Sequence, residues 1–296
     1  MCNFFTHSAL ASILDSLQGN ENLIAGPVAG SFPAIAAAML SRQEPVLFVT
    51  AHPDDADDAL SMFLDHGIEA SLFPAIDNDS FAESVASRYN TLDFLLNAKP
   101  ANGLIITPVA ALMQLTPTPS SLGQFAKRIK KNQRCSLLEL QDWLVAAQYQ
   151  RCEIIEEAGQ FSVRGGIVDI VTSVGEFVRL DFLGDVIDSI NEVDPISLGS
   201  DLSINEILIA SNLREVSDDT LFSYLAQDWC LIQDDLEEFY SQAESYLNRA
   251  VDSDFLCHID DLQGIMNSKV GRIISCKVPP ALGVDLELPI IPLPSF

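Results

Sequence analysis

Basic residues are scarce in this chain. Of its 296 residues, 16 are Lys or Arg against 42 Asp or Glu, a formal net charge of −26. Nucleic-acid affinity rests largely on cations that neutralise phosphates, so this balance argues against the chain as a whole binding DNA or RNA by itself. Paired cysteines are also lacking. Cys2, Cys135, Cys152, Cys230, Cys257 and Cys276 are scattered, and none forms a C-x-x-C pair. That spacing speaks against a zinc site or a disulfide framework and for free thiols in a reducing cytoplasm. The histidines His7, His52, His66 and His258 show no metal-ligand spacing. No apolar run is long enough to span a bilayer. No Lys or Arg precedes the first apolar stretch, so a signal peptide is not expected either. A cytoplasmic protein without a membrane partner is the expectation. What is abundant is apolar surface, 48% of residues. The chain should fold, with length enough for two or three domains.

Strand and helix patterns alternate over the first hundred residues. Helices are expected at Ser8–Leu17, Pro33–Leu40, Asp54–His66 and Ser80–Asn97, with strands at Asn22–Ala25, Pro45–Thr50, Ala70–Phe73 and Gly103–Thr107. Near-continuous apolar strands between helices indicate a parallel sheet covered on its faces. A proline-rich turn at Thr116–Ser121 ends this regime. A basic run follows, with Lys127, Arg128, Lys130, Lys131 and Arg134. It reads as a solvated helix face or linker, with direct nucleic-acid contact as the competing reading. Ser136 then caps a helix over Leu137–Ala147, with Glu139 three residues on as in a capping box. Beyond about Ser200 the pattern is mixed again, with strands at Glu206–Ile209 and near Trp229–Ile232.

Between them, Gly159–Ile170 and Phe177–Phe182 each alternate apolar and polar residues, joined by a turn-like stretch at Thr172–Glu176. Period two means paired strands with one buried face. The other face carries Arg164 and Arg179, expected on neighbouring strands and exposed. Guanidiniums on a rigid sheet can grip carboxylates with forked hydrogen bonds. Ion pairs with Asp181 or Glu176 are the structural alternative for the same two residues.

The turn after the first strand has the outline of a phosphate-binding loop without its chemistry. Such a loop places backbone amides, a Lys and a Ser or Thr at a helix N-terminus, to cradle phosphate and hold magnesium. In Gly26-Pro-Val-Ala-Gly30-Ser31-Phe32, Gly26 and Gly30 remain. Ser31 stands where Lys is needed and Phe32 where the hydroxyl is needed, and Pro27 removes a backbone donor. A second relic is possible at Asp234-Asp235, where paired acids follow an apolar strand as in a magnesium-holding motif. The plainer alternative is a strand feeding the acidic start of a helix.

Four stretches carry a family resemblance: the degenerate loop; Leu72-Phe-Pro-Ala75 with Ser87-Arg-Tyr-Asn-Thr-Leu92; Thr107-Pro-Val-Ala-Ala-Leu-Met-Gln114; and the run from Ile129 to Pro195. Together they resemble the N-terminal UvrB-like module of the bacterial transcription-repair coupling factors, the Mfd family, over about residues 20 to 296. The run 129–195 is the specific part. The resemblance implies an α/β fold: a degenerate helicase-like (P-loop NTPase-like) parallel-sheet domain at 1–134 and 200–296. A small, mainly antiparallel α+β domain is inserted at 135–199. It implies a non-catalytic role without cofactor, in which the inserted domain binds the damage-recognition protein UvrA. The family's two UvrA-contacting arginines fall on Arg164 and Arg179, and its phenylalanine on Leu183, which keeps apolar contact but loses the ring. RNA polymerase, DNA, ATP and magnesium would belong to family domains that the sequence does not contain. The chain stops about where the UvrB-like module ends, so a fragment and a stand-alone module are both open. An active or weakly nucleotide-binding UvrB-like or helicase-like repair protein is the alternative function.

Overall fold

The computed structural model describes residue 17 and residues 22–26, 31–77, 80–98, 100–194, 200–212, 219–250, 255–279 and 282–287. The helix expected at Ser8–Leu17 lies outside them apart from Leu17, as does Gly30 of the degenerate loop. The chain forms two compact units. One gathers described residues from 1–75, 94–116 and 218–296, the other from 76–93 and 117–217.

The first unit begins with β1 (Leu23–Gly26), α1 (Phe32–Leu40), β2 (Pro45–Thr50), α2 (Pro53–Asp65) and β3 (Ser71–Leu72). After α3 (Phe81–Ala98), whose residues up to 93 belong to the second unit, come β4 (Gly103–Pro108) and α4 (Val109–Met113). Proline opens α1 and α2 at a position that needs no amide donor, and Asp54 and Asp55 in the first turn of α2 complement its dipole. All six residues of β2 are buried, as a strand covered on both faces requires. One face packs under α1 and α2. Val46, Phe48, Leu104 and Ile106 meet Ala37, Leu40, Ala59 and Phe63 there, and Phe48 and Phe63 sit edge-to-face.

The second unit runs through α5 (Leu122–Phe125), β5 (Ala126–Lys130), α6 (Leu137–Ala146) and β6 (Gln150–Arg151). Then come β7 (Gln160–Arg164), β8 (Ile167–Val171), β9 (Phe177–Leu183), β10 (Val186–Val193), β11 (Ser200–Ile204) and β12 (Glu206–Ala210). Strands β6 to β11 form one sheet in simple order. It is antiparallel except for the β6–β7 pair. Helix α6 covers one face, set in place by Ser136, whose hydroxyl accepts the Glu139 amide at 3.4 Å. That is the first half of the expected capping box. Leu140 and Leu144 pack on Phe161, Val168, Ile170, Val178 and Leu180.

This unit reaches beyond the 135–199 expected for the insertion. Strand β5 pairs antiparallel with β12, Ile129 opposite Ile207, and Ile129 and Ile209 join the same apolar cluster as Leu140. The two strands therefore belong with the small sheet and not with the parallel one.

The chain then completes the first unit with β13 (Cys230–Gln233), α7 (Leu236–Arg249), α8 (Ile259–Lys269), β14 (Arg272–Ser275) and β15 (Leu286–Glu287). The resulting sheet has the order β15-β1-β14-β13-β2-β4-β3, parallel at every pairing. The fold is thus α/β with a separate antiparallel sheet.

Candidate functional site

Open α/β sheets bind ligands outside the carboxyl ends of their strands, so that edge of the first unit is the natural place for a nucleotide. Here β1 ends at Gly26 and Ser31 takes the N-cap position of α1, exposed and with no side-chain capping bond. Phe32 is turned to the apolar cluster beneath α1 and α2. A ring committed to the core thus stands where a phosphate loop has its metal-holding hydroxyl. The paired acids after β13 are taken up as well. Asp234 lies 3.2 Å from Lys277 Nζ. Asp235 accepts the Glu238 amide at 3.0 Å as the N-cap of α7. Burial pushes the Asp234 carboxyl up despite Lys277, and Asp235 and Asp55 add to the rise. Among the described residues, no group of three or more His, Cys, Asp or Glu is placed to hold a metal.

The first half of the basic run, through Lys130, is strand β5, not the helix face or linker expected. Its charges do not form one patch. Arg128 donates to Asp93 through Nε at 2.5 Å and to Glu206 through Nη1 at 2.8 Å. Lys130 pairs with the other Glu206 oxygen at 3.2 Å. Lys127 lies on the alternate face of β5, its ammonium 5.8 Å from the centre of the Trp143 ring. Lys131 and Arg134 are exposed beyond the strand.

The open face of the β7–β9 sheet is organised differently. Strand periodicity sends Phe161, Val168, Ile170, Val178 and Leu180 into the core and Ser162, Arg164, Ile167, Asp169, Arg179, Asp181 and Leu183 to the other side. Register sets Asp169 of β8 between Ser162 of β7 and Arg179 of β9. The arginines are therefore not on neighbouring strands. The run Gly159–Ile170 turns at Gly165-Gly166 into two strands, and β8 separates Arg164 from Arg179.

One carboxylate fills that gap. Asp169 Oδ1 accepts Arg179 Nε at 2.6 Å, and Oδ2 accepts Arg179 Nη2 at 3.2 Å, a forked pair. The same Oδ2 accepts Arg164 Nη2 at 2.7 Å. So the acid that partners the arginines is Asp169, neither Asp181 nor Glu176. Its side chain is 7% exposed, that of Arg179 23% and that of Arg164 68%. The expectation of an exposed Arg179 is corrected accordingly: its guanidinium lies half-buried along the sheet. Burial alone would raise the Asp169 carboxyl. Hydrogen bonds from Arg179 and then Arg164 outweigh burial and hold it below the usual carboxylate range.

Leu183 lies on the same face of β9 as Arg179, at the end of the strand, and is 75% exposed. Asp181, between Arg179 and Leu183, is occupied by Ser189 Oγ at 2.5 Å and Asn191 Nδ2 at 3.3 Å. Glycines shape the end where these residues meet. Gly165 and Gly184 have φ of +60° and +64°, each the first central residue of a two-residue hairpin turn, where a type II′ turn calls for glycine. A Cβ on Gly166 would lie 2.9 Å from the Phe182 carbonyl oxygen, so only glycine lets the strands close there.

Asp169 was the residue sequence reasoning missed. Its signal was available: a lone acid inside Ile167-Val-Asp-Ile-Val171 must be paired if the strand is to be buried.

Comparison with known proteins places this site in a named domain. Residues 128–213 match the UvrB interaction domain family. The chain is 34% identical over 188 residues to the transcription-repair-coupling factor of Haemophilus influenzae, covering 60% of this chain and 16% of that protein. Identity to the Staphylococcus haemolyticus transcription-repair-coupling factor is 26% over 253 residues, 81% of this chain and 21% of that one. To the UvrABC system protein B of Nitratidesulfovibrio vulgaris it is 27% over 226 residues, 73% and 32%. The chain thus spans about a fifth or less of the length of these two coupling factors.

Proposed function

We propose that this chain, which carries a UvrB interaction domain at residues 128–213, is a non-catalytic docking module that recruits a UvrA-type repair protein. In the setting of a transcription-repair coupling factor, that recruitment would bring nucleotide excision repair to stalled transcription. The observation that carries the proposal is the open face of β7–β9. It presents two guanidiniums gathered on one carboxylate, with a bare leucine on the same face. One carboxylate shared by two guanidiniums leaves N–H donors of Arg164, whose side chain is 68% exposed, turned to solvent. A partner surface with carboxylates set around an apolar hollow would complement it, the arginines gripping by forked bonds and Leu183 filling the hollow.

Catalysis by this chain is disfavoured by Phe32, packed against the apolar cluster, and by Lys277 on Asp234, so we assign it no nucleotide or metal of its own. Nucleic-acid contact through β5 is disfavoured because Arg128 and Lys130 are already engaged by Asp93 and Glu206.

The test is titration of purified UvrA against wild type, Arg164→Ala and Leu183→Ala, with circular dichroism as the folding control. Both side chains are mostly exposed, so both variants should fold. Each is expected to bind at least about tenfold more weakly, the scale of a contact near the centre of an interface. Equal binding by all three would remove the proposal's support.

A further inference from the structure

We propose that Asp169 is a positioning residue of this docking face: it holds both arginines in the geometry that receives the partner, without touching the partner itself. The inference rests on the docking function proposed above. Its basis is that a single, nearly buried carboxylate accepts from both guanidiniums, using both of its oxygens. Arg164 and Arg179 come from strands that are not adjacent, and among the described residues Asp169 alone hydrogen-bonds to their guanidiniums. Arginine has many rotamers, and immobilising such a side chain on association weakens binding. Here Asp169 has done the immobilising in the unbound protein. The donors not spent on Asp169 remain available, above all on Arg164, on the face that also carries Leu183. Gly165 and Gly166 contribute by keeping the β7–β8 connection tight and free of Cβ bulk.

Two physical pictures of Asp169 predict opposite signs. If it matters only as a charge, it opposes an acidic partner, and removing it makes the face more positive and binding tighter and faster. If it positions the arginines, removing it releases them and weakens binding despite the gain in positive charge.

The experiment is surface-plasmon binding of purified UvrA to the full chain as wild type and Asp169→Asn, with Arg164→Ala as reference. Asn has nearly the same volume but only one oxygen, so it cannot hold both the Arg179 fork and the Arg164 bond. Roughly tenfold weaker binding is expected, through faster dissociation. In the Asp169→Asn background, Arg164→Ala should cost less than it does in wild type, because its preset geometry is already lost. Should Asp169→Asn not fold, Asp169→Thr supplies the same loss of charge and reach in a residue that favours strands. Unchanged or tighter binding by a folded Asp169 variant, while Arg164→Ala still loses affinity, overturns the positioning role and leaves the docking function standing. Indifference to Arg164→Ala overturns the docking function, and the positioning role with it.

Discussion

The carboxyl edge of the parallel sheet and the open face of the antiparallel sheet both bring charged side chains together, with opposite balance. At the first, the acids already have partners within the protein. Lys277 meets Asp234, Asp235 is spent on a helix cap, and His52 faces Glu238 at 3.3 Å. At the second, one acid serves two cations, and the more exposed of them keeps most of its donors toward solvent. A site that binds something must leave interactions unmade in the unbound protein. By that criterion the carboxyl edge of the parallel sheet is closed and the arginine face is open.

The comparison breaks most sharply where charge is reversed at the cluster. Arg179→Glu would set a second carboxylate against Asp169, which is nearly out of water, and abolish the forked pair. A loss of about 3 kcal/mol in folding stability is expected, the lower end for breaking a buried pair. Arg164→Glu should cost only about 1 kcal/mol, since its side chain is mostly solvated. Urea unfolding of both variants checks this. Equal costs would mean that Asp169 does not discriminate its partners.

A reversal of the other region should fail to reopen it. Ser31→Lys with Phe32→Thr restores the residue types of a phosphate loop. It also withdraws a ring from the cluster under α1 and α2, a loss of about 2 kcal/mol for a half-buried phenylalanine. Calorimetric titration with Mg-ATP is expected to show no binding, because the acid that would help hold the metal is paired to Lys277. Micromolar affinity in the double variant would show that the edge is closed by two residues alone.

Acid should separate the regions by sign. Asp169 is held below its ordinary value of 3.8. Its stabilising contribution is complete above that value and is lost as pH falls through the lower, folded-state one. Asp234 is raised above 3.8. The folded state takes up its proton first, so the burden of that buried charge is relieved as pH falls toward 3.8. Asp169→Asn should therefore destabilise at pH 7, with a deficit that shrinks below pH 3.8. Asp234→Asn should cost less at pH 7, and its stability relative to wild type should decline on acidification. Unfolding curves at several pH values between 3 and 7 give both slopes. A common sign would contradict the contrast.

Much of this was legible in the sequence, and the failures are instructive. Strands β2, β4 and β13 announce themselves as continuous apolar runs, and the arginine face by alternation. The hairpin at Gly165-Gly166 was hidden because the apolar doublet Ile167-Val168 masks a switch in parity. The core residues are Phe161 and Val163 before the turn, and Val168 and Ile170 after it. Strand β5 was misread because its partner is Glu206–Ala210, some eighty residues away. Only Ile129 of its middle residues is apolar, so local periodicity had nothing to work on. The position of Phe32 could be aligned, but its packing against the apolar cluster is a tertiary fact. The pairing of Arg164 with Arg179 through Asp169 likewise depends on register, which the sequence leaves open until the turn is known.

The smallest expected effect concerns the basic strand, and it tests whether β5 belongs with the closed region or the open one. Lys130 is 59% exposed and shares Glu206 with Arg128. An exposed pair of this kind gives about 0–0.5 kcal/mol, because solvent screens the charges and two long side chains must be held in one arrangement. The Glu206 carboxyl is nevertheless held below its usual range, by the hydrogen bond from Lys130 first and then by the charges of Arg128 and Lys130. Lys130→Ala should thus leave thermal stability almost unchanged, and Arg128→Ala should cost more, since Arg128 also serves Asp93, a better-shielded partner. If β5 is closed, as its internal pairing suggests, neither substitution will alter retention of the chain on duplex or single-stranded DNA at low salt. Binding to phosphates releases counterions and is steeply salt-dependent, so a real contact would show as retention that Lys130→Ala weakens and added salt abolishes. That result would move β5 to the open side of the comparison, giving the chain a second docking surface beside the arginine face.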